Sequence, residues 1–326
     1  MKCLYHANCS DGLAAAAAVY LAAPDHGASE DLADYIPVQH GSPPPWDEID
    51  GQDVVIVDFS YKRDVMLEMS ERCNTVLVLD HHASAERDLV DLADNTYAHF
   101  DMERSGAVMA WDFFHNYGAG RTHQAPLLYE YIQDRDLWTK HLPGCDDVAM
   151  AIRSYPPTIP EFLKLLEVSI PALRAEGRGI RRWLDLQVEA YVKAWRKAPL
   201  LANIGGHHVP LINAPGFMAS ELAGELAELY PFAAVFFHVH EPADDVGKWV
   251  FSLRRRDGDV DLSTIAAQAG GGGHPAAAGF SVPGILVETV RIEDPNDSKT
   301  RVDVRWSGDL LALVGANEDL TMWGHQ

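Results

Sequence analysis

The sequence is poor in cysteine and in positive charge. Its four cysteines, Cys3, Cys9, Cys73 and Cys145, are scattered and form no CxxC pair. That argues against a disulfide framework, and a reducing cytoplasm is the expected setting. Lysine and arginine number 26 against 48 aspartates and glutamates, for a formal net charge of −22. Such a surface repels long duplex nucleic acid and anionic membranes, so a short anionic partner is expected in their place. No apolar run is long enough to span a bilayer. The stretch LAAAAAVYLAA, Leu13 to Ala23, has the apolarity of a signal-peptide core. It follows Asp11, however, and only Lys2 precedes it as positive charge, so it reads as a buried helix. There is no internal repeat.

The 326 residues suggest about two domains, and a 47% hydrophobic content is ample for real cores. The first part alternates strand and helix. Strands are predicted at Lys2–His6, Asp34–Val38, Asp53–Phe59, Thr75–Asp80 and Thr96–Phe100, with helices at Leu13–Ala23 and Arg63–Arg72. This βαβ alternation implies an α/β fold with a parallel, helix-covered sheet. Prolines make Ser42–Trp46 a loop, and further helices are predicted at Ser105–Tyr117 and Ala125–Asp134. The apolar face near Ser105–Phe114 has two readings, core or homodimer interface. From Ile159 to Lys197 the helical spacing is continuous and predicts one long connecting helix. A smaller α/β domain follows, with strands at His208–Ile212, Ala233–Val239 and Lys248–Leu253, and helices at Ala219–Leu229 and near Ser263–Ala269. The expected boundaries are 1–165 for the first domain, 166–199 for the linking helix, 200–285 for the second domain and 286–326 for a C-terminal extension.

Three of the first-domain strands run into metal-ligand residues. KCLYH ends at His6 and continues into ANCSDG with Asp11; DVVIVDFS carries Asp58; NTVLVLDHH delivers Asp80, His81 and His82. In an open α/β sheet, ligands gather at the carboxyl ends of the strands. A lone histidine or aspartate at a strand end is more often a satisfied polar group or a turn former. Three such ends together point to a divalent-metal site for phosphoryl transfer, with Asp58 as the natural bridging carboxylate. Paired cations in such a site acidify a shared water and offset charge on the leaving oxygen. YIQDRDLW adds Asp134 and Asp136, of which Asp134 is favoured because it follows the predicted helix directly. Far downstream, GGGGHPAAAG reads either as an anion-binding loop or as a packing turn. Arg254 offers a bidentate phosphate clamp.

Taken together, these motifs resemble the DHH phosphoesterase superfamily with its associated C-terminal domain. The resemblance rests on HANCSDG at His6–Gly12, Asp58 in VIVDFS, Asp80-His81-His82, Asp134-Arg135-Asp136 and the run from Ser252 to Phe280, and it covers roughly residues 1–283. It implies two divalent ions, Mn²⁺ foremost, with Mg²⁺ and Co²⁺ as alternatives. It further implies that His6 and Asp58 hold one ion and that Asp11, Asp58, His81 and Asp134 hold the other. Asp80 would orient His81, and His82 would contact the scissile phosphate or the shared water. Arg254, Gly271, Gly272, Gly273 and His274 would bind the substrate. The implied activity is a phosphodiesterase or oligoribonuclease acting on short oligonucleotides or linear or cyclic dinucleotides. A single-strand exonuclease, a phosphoadenosine-phosphate phosphatase and a non-catalytic nucleotide-binding relative are the alternatives. One departure stands out: the superfamily's usual form is His-x-Asp-x-Asp-Gly. Here Asn8 stands where the first Asp is expected, and one extra residue precedes Asp11. Asn8 is then a weaker candidate ligand, and Cys9 has two readings, a metal ligand or, favoured over it, a small buried residue.

Overall fold

The computed structural model describes residues 1–26, 30–39, 41–116, 123–240, 247–283, 288–292 and 301–305. The chain divides into two compact units, Met1–Trp183 and Leu184–Gln326.

In the first unit, β1 (Lys2–His6), β2 (Tyr35–Val38), β3 (Asp53–Val57), β4 (Thr75–Asp80) and β5 (Thr96–Phe100) form one parallel sheet in the order β2-β1-β3-β4-β5. Residues 54–57 of β3 are all buried, as expected of a central parallel strand covered on both faces. The period-2 alternation of a strand sends neighbouring side chains to opposite faces. Cys3, Tyr5, Val55, Val57 and Leu79 join one core, and Leu4, Val54, Ile56, Val76 and Val78 join the other. The first core is built with α1 (Ser10–His26), in which Ala14 to Ala18 are fully buried. Alanine has no side chain beyond Cβ, so this helix lies close to its neighbours. The second core holds Ile49 of α2 (Trp46–Ile49) with Met66 and Met69 of α3 (Arg63–Arg72).

The chain continues through α4 (Ala83–Asp88), α5 (Gly106–Asn116), α6 (Leu127–Asp136), α7 (Cys145–Arg153), α8 (Ile159–Leu166) and α9 (Ile170–Lys197). On α5, Ala107, Ala110, Trp111 and Phe114 lie in the first core, so the face that was open to a dimer reading is interior. The expected continuous helix over Ile159–Lys197 is two helices. Pro171 lacks an N–H and cannot sit in a helix interior, so a new helix starts there, with the proline in its first turn.

The register explains why the site forms. Tyr5 pairs with Val57, and Val57 with Leu79, across adjacent strands. The next residues, His6, Asp58 and Asp80, are therefore level with one another at the carboxyl ends of three neighbouring strands. Strand spacing of about 4.8 Å puts all three ends within roughly 10 Å.

The second unit has a six-stranded sheet. Its strands are β6 (Leu201–Ile204), β7 (His207–Asn213), β8 (Ala233–Val239), β9 (Lys248–Arg254), β10 (Gly272–His274) and β11 (Ala277–Pro283), in the order β10-β11-β9-β8-β7-β6. Helices α10 (Ala219–Leu226) and α11 (Leu262–Gln268) accompany it. Glu288–Ile292 and Arg301–Arg305 pair as a separate antiparallel ladder, and the rest of the expected 286–326 extension lies outside the described residues. Among the described residues, no helix is long and apolar enough to cross a membrane.

Candidate metal centre

Asp58 is the hub of the first-unit site. It is 1% exposed and sits just past β3 in the left-handed backbone region, at φ 63°. Aspartate tolerates that conformation better than most residues, and the turn aims its carboxylate across the strand ends. Its Oδ1 accepts from His81 Nε2 at 3.1 Å. Its Oδ2 lies 3.3 Å from His6 Nδ1 without forming a hydrogen bond. Asp58 thus faces an imidazole with each oxygen.

His81 Nε2 also lies 3.6 Å from Asp11 Oδ2 and 3.5 Å from Asp136 Oδ2. Among the described residues of the first unit, two donor groups result, His6 with Cys9 and Asp58, and Asp11 with His81 and Asp136. Within each group, one ligand atom per residue lies within 4.8 Å of the others. Asp11 is also fixed by the start of α5, where its carboxylate accepts from Gly106 N at 2.7 Å and Ala107 N at 3.1 Å. An acidic side chain at a helix N-terminus satisfies otherwise unpaired N–H groups and meets the positive end of the helix dipole.

The electrostatics suit a cation. Burial, then the charges of Asp58 and Asp136, hold the Asp11 carboxyl well above the usual carboxylate range. Burial and the Asp58 charge push Asp136 up as well. Burial alone would lower His81, but Asp58, Asp136 and Asp11 outweigh it and hold the imidazole up to about 10. Asp58 moves the other way: burial would raise it, and the two histidines hold it well below its ordinary value. Burial and the Asp58, Asp136 and Asp11 charges also push the Cys9 thiol up. Crowded acids and a protonated imidazole mark a site that is frustrated without a divalent ion. Asp58 Oδ2 and Asp136 Oδ2 are both buried without a hydrogen bond, and the donor set fits divalent cations.

Two sequence expectations change here. Asp134 is not with the donors. Its carboxylate accepts from Thr139 Oγ1 at 2.6 Å, His141 N at 2.8 Å and Leu142 N at 2.8 Å. It ties down the turn after α6, where Trp138 and Lys140 take left-handed backbones. The helix runs two residues further than expected, and Asp136 in its last turn is the residue that reaches His81. Asp136→Ala is therefore expected to weaken divalent-metal binding with little loss of stability. Asp134→Ala is expected to cost roughly 3 kcal/mol of stability, read from denaturant midpoints, because it strands buried donors. The opposite pattern would return the ligand role to Asp134.

Asn8 directly precedes Cys9 of the first donor group. It is exposed, at φ 57°, and makes the turn that asparagine favours. Asp80, finally, orients His82 and not the ring of His81. Its Oδ1 accepts from His82 Nδ1 at 2.7 Å and meets His81 only through the backbone N–H, also at 2.7 Å. His82 is held above its ordinary value: burial lowers it and the Asp80 charge outweighs that.

Some contributors carried no sequence signal. Ser60 Oγ donates to Asp80 Oδ2 at 3.0 Å. Gly106 lies against the hub, and a Cβ there would stand 2.6 Å from Asp58 Cβ. Gly106→Ala must push Asp58 out of place, at an overpacking cost of about 1–3 kcal/mol. It is expected to lower both the thermal midpoint and the affinity for divalent metal; wild-type affinity in this variant would show that Asp58 does not need its observed position.

The second unit holds the other predicted residues. Gly272 and Gly273 with His274 form β10, the edge strand of a hairpin with β11, and not an open loop. Gly273 takes φ 134°, and a Cβ on it would stand 2.6 Å from Ala277 O. Gly271 abuts the Gly279 carbonyl. Close packing of the hairpin thus accounts for glycine at 271 and 273. Arg254 ends β9 opposite Ala277, and its guanidinium donates to Ser220 Oγ and Leu253 O, each at 2.8 Å.

Level strand ends thus bring carboxylates and imidazoles together around one aspartate as a candidate divalent-metal site. Residues 210–293 match the model of the DHHA1 domain. Over 86% of its length it is similar to an uncharacterized protein of Acanthamoeba polyphaga mimivirus, at 28% identity across 293 residues and 67% of that protein. Among solved structures it is similar to RecJ of Thermus thermophilus in complex with Mn²⁺, at TM-score 0.47 and 16% identity, covering 86% of this chain and 49% of that one. It is also similar to the pGpG-specific phosphodiesterase PggH of Vibrio cholerae, at TM-score 0.33 and 14% identity, covering 86% and 92%.

Proposed function

We propose that the protein hydrolyses the phosphodiester bond of short oligonucleotides or dinucleotides to mononucleotides, using two divalent metal ions. One observation carries this reading: Asp58 presents its two oxygens to two separate donor groups, and one of those oxygens is buried without a hydrogen bond. His6 and Asp58 would hold one ion, and Asp11, Asp58, His81 and Asp136 the other. Bound there, the ions supply Lewis acidity, an acidified water and neutralisation of phosphoryl charge.

The chain's own residues do the rest. Asp80 fixes the ring of His82 through Nδ1 and favours its protonated form. His82 is thereby the proton donor to the leaving oxygen. In the second unit, Arg254, Gly271, Gly272, Gly273 and His274 are the residues proposed to contact the substrate. The net charge of −22 supports a short substrate, because a long polyanion would be repelled over most of the surface.

The test is a panel of linear and cyclic dinucleotides and longer oligonucleotides, incubated with Mn²⁺ and resolved by chromatography. Mononucleotide release, fastest from the shortest substrates, is expected. No hydrolysis of any member, or hydrolysis only of long single strands, would overturn the reading.

A further inference from the structure

We propose that Cys9 is a metal ligand, and that with His6 and Asp58 it builds a mixed nitrogen–sulfur–oxygen position that prefers a softer divalent ion, such as Zn²⁺, Co²⁺ or Fe²⁺, over Mn²⁺ or Mg²⁺. This rests on the metal-centre reading above and goes beyond it, because it assigns different ions to the two positions.

The Cys9 sulfur, a His6 nitrogen and an Asp58 oxygen lie within 4.8 Å of one another. Donors each about 2.0–2.3 Å from a shared ion stand at most about 4.6 Å apart, so a small inward movement closes the set. A second observation points independently to a ligand here. Asp58 is 1% exposed, and its Oδ2 faces His6 at 3.3 Å with no hydrogen bond. A buried carboxylate oxygen without a donor needs a positive partner.

The backbone shows how the thiol arrived. Asn8 makes a left-handed turn, which absorbs the extra residue of HANCSDG. Counting back from Asp11, Cys9 then falls two residues before it, where the superfamily's usual form has its first aspartate. The carbonyl of Cys9 accepts from Leu13 N at 3.1 Å, so the residue opens α1 directly at the site. The other cysteines sit elsewhere: Cys3 and Cys73 pack in the two cores of the first unit, and Cys145 lies beside the Tyr131 carbonyl at 3.6 Å.

Exchanging a carboxylate for sulfur changes what the position selects. Thiolate and imidazole favour later transition metals, whereas carboxylate sets favour Mn²⁺ and Mg²⁺. The second donor group, Asp11, His81 and Asp136, keeps two carboxylates and the harder preference.

The test is titration of the chelator-treated full-length protein with Co²⁺, followed by absorbance. Visible d–d bands report cobalt in a protein site, and near-ultraviolet sulfur-to-cobalt charge transfer reports a thiolate ligand. Wild type is expected to show both. Cys9→Ser is expected to keep the visible bands and lose the charge-transfer absorption. Its preference for Zn²⁺ over Mn²⁺, measured by competition, should fall on the order of tenfold or more. Cys9→Asp should restore preference for Mn²⁺, and circular dichroism confirms folding of each variant. Visible bands without charge transfer in wild type would refute Cys9 while leaving the metal centre standing, as would charge transfer that survives Cys9→Ser. Absence of both signals would sink the metal centre itself.

Discussion

Asp58→Asn is expected to lower Mn²⁺-dependent hydrolysis by about 10³-fold or more while the protein stays folded. Charge stabilisation by a bound metal contributes several kcal/mol to a transition state, and each 1.4 kcal/mol is about tenfold in rate. Asp58 is the one residue whose oxygens face both donor groups, at 3.1 Å from His81 and 3.3 Å from His6. Losing its charge removes the shared ligand of both positions. Asparagine has the same size and tolerates φ 63° equally well, so strand β3 and the turn after it are preserved. The variant therefore separates charge from shape. Far-ultraviolet circular dichroism and the thermal midpoint check the fold, and kcat/KM checks the site. Activity within tenfold of wild type would mean that Asp58 is a turn former and nothing more.

His82→Gln is expected to cost about 10²- to 10³-fold in kcat with little change in KM, the usual range for loss of a positioned proton donor. A finer test uses its partner. The Asp80 charge holds the His82 imidazole above its ordinary value, so the protonated ring persists to higher pH than it otherwise would. Asp80→Asn removes that charge, and the pKa of His82 falls. The alkaline limb of the pH–rate profile should move to lower pH, with a smaller loss near the acid end. An unmoved limb would remove His82 from the role of acid.

Much of this site is legible in the sequence because a parallel sheet turns separated motifs into neighbours. Each of the segments KCLYH, DVVIV and TVLVLD reads as a buried strand, and each is followed at once by a ligand-type residue. What the residues alone do not reveal is the level register of His6, Asp58 and Asp80, which comes from pairing between strands. The choice between Asp134 and Asp136 turned on where α6 ends, and helix ends are the least legible part of a pattern. Two residues of extra helix put Asp136 beside His81 and left Asp134 to the turn at Thr139–Leu142. Cys9 reads first as a small buried residue because its placement depends on the Asn8 turn, and a positive φ cannot be read from periodicity. The glycine run was ambiguous for a related reason. An anion cradle and a tightly packed hairpin ask for the same residue, and only the approach of Gly273 to the Ala277 carbonyl distinguishes them. Helix α7 carries Asp146 and Asp147 in its first turn, where carboxylates suit a helix N-terminus.

The central claim is that His6, Asp11, Asp58, His81 and Asp136 surround two divalent ions. Anomalous diffraction from crystals grown with saturating Mn²⁺ as the sole divalent ion addresses it directly. Two peaks are expected, one on each side of the Asp58 carboxylate, separated by roughly 3.5–4 Å. No peak beside Asp58, or manganese bound only elsewhere on the acidic surface, would contradict it.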